Sequence, residues 1–144
     1  MAIHPVKIDE AFSYCTQVML EDIPGIVAAG YKTLINNRPD GEEGAGQPTT
    51  PALKAAAENA GLHFIALPVI PNQITAEQVV QYKRLIAHAP RPMLGFCRSG
   101  NRATTLYQRA QMLYPQDKPH ASGKDNLLSG VAAQAKRLWH KLKD

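Results

Sequence analysis

The sequence predicts a single α/β domain, residues 1–144, whose central and mostly parallel sheet is flanked by helices. Strand-like and helix-like segments alternate along the chain, which is the order expected of βαβ units. The length of 144 residues is typical of one domain and is sufficient to bury a substantial core. Because no internal repeat or low-complexity segment divides the chain, we expect no second domain.

The first predicted elements are a strand, a helix and a second strand. Phe12–Val18 is rich in aromatic and β-branched residues, as strands are. Asp22 can cap a helix that contains Pro24 in its first turn and stops at Gly30. Lys32–Asn36 is a short apolar run between turn residues, which predicts a buried strand.

A polar loop and a second strand–helix pattern follow. Asn37–Pro48 is rich in Gly and Pro and is predicted to be a loop. Thr50 is the predicted cap of a helix with Pro51 at its first position and Gly61 just past its end. His63–Val69 is the next predicted strand.

The next predicted elements are a helix, which begins with a capping box, and a short apolar strand. Thr75 and Gln78 match a capping box, and the helix they open ends before Pro90. Met93–Phe96 is the last predicted strand. The two remaining predicted elements are helices, over Arg102–Tyr114 and Asp125–Leu142.

Three polar turns are expected to meet at one edge of this sheet. Ligands of parallel sheets bind outside the carboxyl ends of the strands, and each of these turns follows such an end. The turns are Asn37–Gln47, Pro68–Gln73 and Cys97–Arg102.

Composition excludes several classes of protein. Hydrophobic residues make up 44% of the chain and charged residues 19%, which excludes a disordered or collagen-like protein. Two cysteines do not make a disulfide framework. The longest nearly apolar stretch, Phe64–Pro71, is far shorter than the roughly 20 residues that span a bilayer. We therefore expect a cytoplasmic protein with reduced thiols and no membrane partner.

The charge is unevenly distributed along the chain. Residues 1–97 carry seven basic and nine acidic side chains, a net charge of −2, whereas residues 98–144 carry nine and three, a net charge of +6. A basic carboxyl-terminal third favours an anionic ligand, although a solvated basic surface gives the same pattern. Because aromatic residues amount to only 6%, we expect no nucleic-acid partner.

The segment with the strongest chemical signal is Phe96–Arg102, in which a strand leads through a short polar loop into a helix. Backbone N–H groups of such a turn, together with those of the first helical turn, form a cradle for an anion. Gly100 allows the backbone to approach the anion, and Arg102 offers bidentate donors suited to phosphate oxygens. Cys97 lies at the centre of the cradle, which favours its nucleophilic thiolate form.

Cys97 is the predicted nucleophile, and Arg102 is the predicted ligand of the anion held in the cradle. The predicted substrate-binding residues are Arg98, Ser99, Gly100, Asn101 and Arg102. The alternative for Cys97 is a structural cysteine buried at the end of a strand. Because no histidines or cysteines have metal-ligand spacing, we expect neither a metal nor a cofactor.

The loop resembles the active-site loop of cysteine-dependent phosphatases and of rhodaneses, in which a Cys follows a strand and an Arg begins a helix. Five segments carry a wider likeness, which are Gly30–Asn36, Arg38–Glu43, Ala60–Phe64, Leu67–Val69 and Phe96–Arg102. Through them the chain resembles a bacterial protein-tyrosine and dual-specificity phosphatase-like family, whose domain also occurs fused to metallo-β-lactamase-type hydrolases. This resemblance implies a phosphatase-like fold, a cysteinyl-phosphate intermediate and a role of Arg102 in stabilising the charge that develops during phosphoryl transfer.

The chain departs from the phosphatase pattern in three ways. Phe96 and Ala103 stand where these phosphatases usually have a His before the Cys and a Ser or Thr after the Arg. Four residues separate Cys97 from Arg102, as in single-domain rhodaneses, whereas most of the resembling phosphatases have five. The general acid of dual-specificity phosphatases, an Asp about 30 residues before the Cys, would fall in Leu67–Gln73, which contains no acidic residue. The strand and turn sequences that usually flank a rhodanese active site are also absent.

Asp40 is the predicted substitute for the missing acid, because its loop is expected to open on the same edge of the sheet. Glu42 and Glu43 are the next candidates. Asp40 also fits a turn residue in Pro39-Asp40-Gly41. Without an acid, only substrates with a good leaving group, such as aryl phosphates, would react well.

The sequence therefore predicts a small cysteine-dependent phosphatase acting on a phosphorylated protein or small molecule, with phosphotyrosine among the candidates. Two alternatives stay open, a sulfurtransferase with a Cys97 persulfide and a non-catalytic module that binds an oxyanion. Cys15 is either a redox partner of Cys97 or a plain buried cysteine. Trp139 either docks the last helix on the body or forms a contact between subunits, so a homo-oligomer also stays open.

Overall fold

A computed structural model describes residues 3–113 of the chain. Within this range one mostly parallel sheet is formed by β1 to β5, in the spatial order β1-β2-β5-β3-β4. β1 pairs with β2 in antiparallel fashion, and every other pair is parallel. The strands are β1 (Val6–Lys7), β2 (Phe12–Cys15), β3 (Thr33–Asn36), β4 (His63–Ala66) and β5 (Met93–Phe96).

Helices cover both faces of this sheet. They are α1 (Ile23–Ala28), α2 (Thr50–Asn59), α3 (Ala76–Ile86) and α4 (Asn101–Gln111). The predicted α/β class with a mostly parallel sheet is therefore confirmed. The predicted helix Asp125–Leu142 and Trp139 lie outside the described residues.

The apolar side chains of residues 3–113 form two clusters, one on each face of the sheet, because successive residues of a strand point to opposite faces. On one face the sheet packs against α3 and α4, and its cluster includes Ile35 and Tyr82. On the other face it packs against α1 and α2, and its cluster includes Leu34 and Leu53. The sheet is thereby the middle of three layers.

Two strands end earlier than predicted. β2 stops at Cys15, because the chain then turns toward the loop after β5, where the Gln17 N–H donates to the Arg98 carbonyl at 3.3 Å. β4 stops at Ala66, since Pro68 has no N–H with which to continue the ladder. β1 was not predicted from the sequence.

Two helix starts also differ by one residue from the prediction. The cap of α2 is Thr49, whose hydroxyl accepts from the Ala52 N–H, so that Thr50 is already helical. α4 begins at Asn101, because Gly100 takes the left-handed conformation that precedes it. The capping box of Thr75 and Gln78 at the start of α3 is confirmed.

The three polar turns do meet at the carboxyl edge of the sheet. The Asn37 N–H donates to the Phe96 carbonyl at 2.9 Å, which joins the loop after β3 to the end of β5. The Asn37 side chain donates to the Leu67 carbonyl at 2.9 Å, and the Val69 N–H donates to the Asn37 carbonyl at 3.1 Å. Asn37 thus ties all three turns together.

Candidate active site

The loop between β5 and α4 holds Cys97 beneath the surface of the protein. Cys97 has no exposed surface, and the Gly100 N–H lies 3.1 Å from its sulfur. The backbone donor is therefore directed at the sulfur, as the predicted cradle requires. Cys97 therefore lies beneath the residues that face solvent at this edge of the sheet.

Gly100 is required in this loop for two physical reasons. Its φ is +101°, a conformation that side chains with a Cβ rarely adopt. A Cβ at this position would lie 2.5 Å from a ring carbon of Tyr14 and 3.4 Å from the Cys15 carbonyl. The loop is thus packed tightly against the end of β2, which fixes its shape.

Arg102 is buried in the first turn of α4, and its guanidinium group is held by two partners. Nη1 and Nη2 donate to the two carboxylate oxygens of Glu42, at 2.7 and 3.0 Å. Nη1 also donates to the carbonyl of Val69 at 2.9 Å. This bidentate geometry fixes the plane of the guanidinium group.

Glu42 is in turn held by a second buried guanidinium group, that of Arg38. Arg38 Nε donates to Glu42 at 2.7 Å, Nη1 to Gln17 at 2.9 Å and Nη2 to Glu43 at 2.7 Å. The hydrogen bonds from Arg102, reinforced by Arg38, lower the pKa of Glu42 to about 2 although burial opposes them. Glu42 is therefore a carboxylate at neutral pH.

The site opens into a cavity of about 500 Å³ beside the start of α4. Of the predicted binding residues, Arg98, Ser99, Asn101 and Arg102 line it. Gly100 and Cys97 are not among the lining residues. The others are Glu42, Pro71, Asn72, Ile74, Thr105 and Arg109.

Asp40 lies outside this cavity, at the start of α2. One of its carboxylate oxygens accepts from the Thr50 N–H at 2.8 Å and from the Thr50 hydroxyl at 2.7 Å. Asp40 thus satisfies a donor of the first helical turn. The structure places Glu42 rather than Asp40 in the cavity, and a role of Asp40 as proton donor stays a prediction.

The residues that the sequence missed are Arg38 and Gln17, which support the site from behind Glu42. Arg38 is buried, with a side chain only 3% exposed. A buried Arg usually has a charged partner, and Glu42 lies only four residues after Arg38 in the sequence. Nothing in the sequence, however, shows that Glu42 also contacts Arg102.

Cys15 ends β2 directly opposite Phe96, the residue before Cys97. Both cysteines are buried and free. Burial raises the pKa of the Cys15 thiol to about 12, so this thiol is protonated at neutral pH. A redox pairing of Cys15 with Cys97 stays a prediction.

Among residues 3–113, no group of three or more His, Cys, Asp or Glu side chains is arranged to hold a metal ion. None of the helices described between residues 3 and 113 is both long enough and apolar enough to cross a membrane.

Comparison with known proteins gives one family for most of the chain. Residues 6–114 match the family described as the phosphatase-like domain of β-lactamase hydrolase-like protein. The β-lactamase hydrolase-like protein of Agrobacterium fabrum is 38% identical over 108 residues, and that of Xylella fastidiosa is 36% identical. These alignments cover 75% of the chain but 25% of each relative, so the chain spans about a quarter of their length.

Solved structures show the same fold. A candidate phosphatase from Neisseria meningitidis is 31% identical and superposes with a TM-score of 0.67, covering 92% of this chain and 96% of that one. P. aeruginosa TpbA in complex with pTyr is 13% identical and superposes with a TM-score of 0.57, covering 91% and 70%. The fold is that of cysteine-based phosphatases, and the relationships support a phosphatase.

Proposed function

The chain belongs to the family of phosphatase-like domains of β-lactamase hydrolase-like proteins, and on this premise we propose that it hydrolyses phosphomonoesters with Cys97 as the nucleophile. The observation that carries the proposal is the loop itself. It directs a backbone N–H at the Cys97 sulfur and is followed within one helical turn by the buried guanidinium group of Arg102. A thiol, backbone donors and a fixed arginine are the groups that phosphoryl transfer to sulfur needs.

The reaction has two steps. The Cys97 thiolate attacks phosphorus, so that an S–P bond forms while the bond from phosphorus to the leaving oxygen breaks. Water then attacks the phosphorus, the S–P bond breaks, and inorganic phosphate and the thiolate are released. Negative charge that spreads over the phosphoryl oxygens in both steps is stabilised by the loop N–H groups and by Arg102.

Arg102 can serve the phosphoryl group without releasing Glu42. Glu42 and Val69 take both N–H groups of Nη1 and one of Nη2. The Nε–H and the second Nη2–H have no partner among residues 3–113. Glu42 thus orients the arginine, and two donors stay available for oxygens of the substrate.

Among residues 3–113, no protonated carboxylic acid lines the cavity to donate a proton to the leaving group. Among the described lining residues Glu42 is the one carboxylate, and with a pKa of about 2 it carries no proton at neutral pH. A leaving oxygen must then depart as an anion or take its proton from water. We therefore propose aryl phosphates, phosphotyrosine included, as the substrate class. Pro71 and Ile74 provide apolar walls for an aromatic ring.

A direct test measures hydrolysis of p-nitrophenyl phosphate and transfer of sulfur from thiosulfate to cyanide by the wild type and by Cys97→Ser. We expect hydrolysis that falls by about a thousandfold or more in Cys97→Ser, because the nucleophile is lost. Circular dichroism of the variant checks that it is folded.

The assay also separates the alternatives. The four-residue spacing between Cys97 and Arg102 favours the sulfurtransferase. Sulfur transfer without hydrolysis would establish that function and contradict ours. Activity in neither assay, with phosphate still bound, would leave a module that binds oxyanions.

A further inference from the structure

The cavity continues along α4 from the active loop, Cys97–Arg102, and extends beyond the reach of a single phosphoryl group. Arg102, Thr105 and Arg109 all line it. Their spacing of three and four residues places them on one face of the helix. At about 1.5 Å per residue, Arg109 lies about 10 Å along the helix axis from Arg102. The cavity therefore has two basic ends on one helix face.

The positive charge at the far end of the cavity, that of Arg109, has no ion-pair partner among residues 3–113. Arg109 is exposed and makes neither a hydrogen bond nor an ion pair within residues 3–113. Its helical neighbours at three and four positions on either side, Thr105, Leu106, Met112 and Leu113, carry no acidic group. Arg109 lies in the last turn of α4, so the helix dipole favours its charge, but no carboxylate among residues 3–113 pairs with it.

The cavity as a whole carries excess positive charge. Arg98, Arg102 and Arg109 line it, whereas Glu42 is the one carboxylate among its described lining residues, and Arg98 Nε lies 4.0 Å from the carboxylate of Glu43 just outside. Glu42 is already bonded to Arg102 and Arg38. A single phosphoryl group at the active loop would leave Arg109 uncompensated, because the charge lies two helical turns away.

On the assumption that the proposed phosphatase function is correct, we propose that the cavity selects phosphomonoesters with a second anionic group about 10 Å from the phosphorus. Arg109 binds this group, and the body of the substrate lies between α4 and the wall formed by Pro71 and Ile74. The second anion is a carboxylate or a phosphate, which an arginine binds in the same bidentate manner. An acidic peptide and a small bis-anionic ester both supply it.

The test compares two aryl phosphates whose leaving phenols differ only in the group at the end of the para side chain. They are the phosphate ester of para-hydroxyphenylpropionate, whose carboxylate lies across the ring from the phosphorus, and the ester of the corresponding amide. For the wild type we expect kcat/KM to be about fivefold higher for the carboxylate, as for one exposed ion pair. Arg109→Gln should bring this ratio to about one.

A matched control removes a positive charge elsewhere. Lys54 is exposed on α2, pairs with Glu58 and does not line the cavity. Lys54→Gln should keep the preference of the wild type. The proposal requires the preference for the carboxylate ester to depend on Arg109 and not on Lys54. Retention of this preference in Arg109→Gln, or its loss in Lys54→Gln, would therefore overturn the proposal.

A second pair of substrates identifies the source of the anion. Phosphotyrosine peptides with Glu or Gln beside the phosphotyrosine should show the same Arg109-dependent preference if the natural substrate is an acidic peptide. A preference confined to the small esters supports the second-anion site and points to a small substrate. A preference in neither pair contradicts the proposal.

Binding to Cys97→Ser distinguishes this proposal from the proposed function. Calorimetry with the carboxylate and amide esters should again show about a fivefold difference in Kd that Arg109→Gln removes. If the wild type hydrolyses no ester while this difference in Kd is seen, the proposed function fails and the second-anion site stands. If hydrolysis requires Cys97 but neither kcat/KM nor Kd favours the carboxylate ester, the second-anion site at Arg109 is contradicted and the proposed phosphatase function stands.

Discussion

The two loops that build the site, Cys97–Arg102 and residues 37–47, are organised in different ways. In the first, neighbours in sequence are neighbours in space, since the Gly100 N–H contacts the Cys97 sulfur three residues away. In the second, Glu42 contacts Arg102, which lies 60 residues further along the chain. The comparison teaches that a local motif shapes the surroundings of Cys97, the proposed nucleophile, whereas a long-range ion-pair network fixes the guanidinium group of Arg102.

Arg102→Lys tests the part of the site in which the two loops meet. Lysine keeps the charge but cannot bind Glu42 and the phosphoryl group through a planar fork. We expect kcat for p-nitrophenyl phosphate to fall by about a hundredfold or more. A fall of less than about threefold would mean that charge alone, and not bidentate geometry, is required.

Glu42→Gln tests the network itself. The variant removes the negative charge that pairs with two buried guanidinium groups, those of Arg38 and Arg102. Because the Glu42 side chain is only 23% exposed, water screens these pairs little. We therefore expect the free energy of unfolding to fall by about 2 kcal/mol at pH 7. Urea denaturation measures this change.

The effect of Glu42→Gln should depend on pH in a defined direction. The folded-state pKa of Glu42 is about 2, below its ordinary value of 4.5. Its stabilisation is therefore complete above pH 4.5 and is lost as the pH falls through about 2. Glu58→Gln is the control, because Glu58 pairs with Lys54 at the exposed surface. If Glu42→Gln lowers the free energy of unfolding no more than Glu58→Gln does, the ion-pair network does not stabilise the protein as we expect.

Gly100→Ala tests the local motif. The positive φ and the clash with the Tyr14 ring predict a loss of about 2 kcal/mol in the free energy of unfolding. Gly46→Ala is the matched control, because its φ is not positive and a Cβ there would meet no atom within 4 Å. Thermal unfolding of both variants measures the difference, and equal melting temperatures would show that the loop adapts.

Asp40→Ala has the smallest expected effect. Loss of the bonds to Thr50 should lower the free energy of unfolding by about 1 kcal/mol. The ratio of kcat for p-nitrophenyl phosphate to that for phenyl phosphate should stay unchanged, because a proton donor matters most for the poorer leaving group. A sharp selective loss with phenyl phosphate would instead identify Asp40 as the acid.

Strands β2 to β5 and helix α3 could be predicted because their signals are local. Met93–Phe96 is an apolar run between turn residues, and Thr75 with Gln78 is a capping box that needs no distant partner. The convergence of three turns on one edge also followed, since parallel topology places the carboxyl ends of strands together.

The partners within the site could not be predicted. Whether Asp40 or Glu42 enters the cavity depends on how the chain folds between Arg38 and Gln47, where the Glu43 N–H and the Pro39 carbonyl bond to the Gln47 side chain. These contacts set the direction of each carboxylate, and no spacing rule encodes them. The expected edge of the sheet directed attention to the loop that contains Asp40, Glu42 and Glu43. Only the structure shows that Glu42 is the carboxylate that lines the cavity.

The central claim, that Cys97 forms a covalent bond to phosphorus, is tested most directly by trapping the intermediate. The wild type is mixed with p-nitrophenyl phosphate, quenched with acid during turnover, digested and analysed by mass spectrometry. We expect a phosphoryl adduct on the peptide that contains Cys97 and none in Cys97→Ser. Steady turnover with no adduct, together with hydrolysis that survives in Cys97→Ser, would contradict the account.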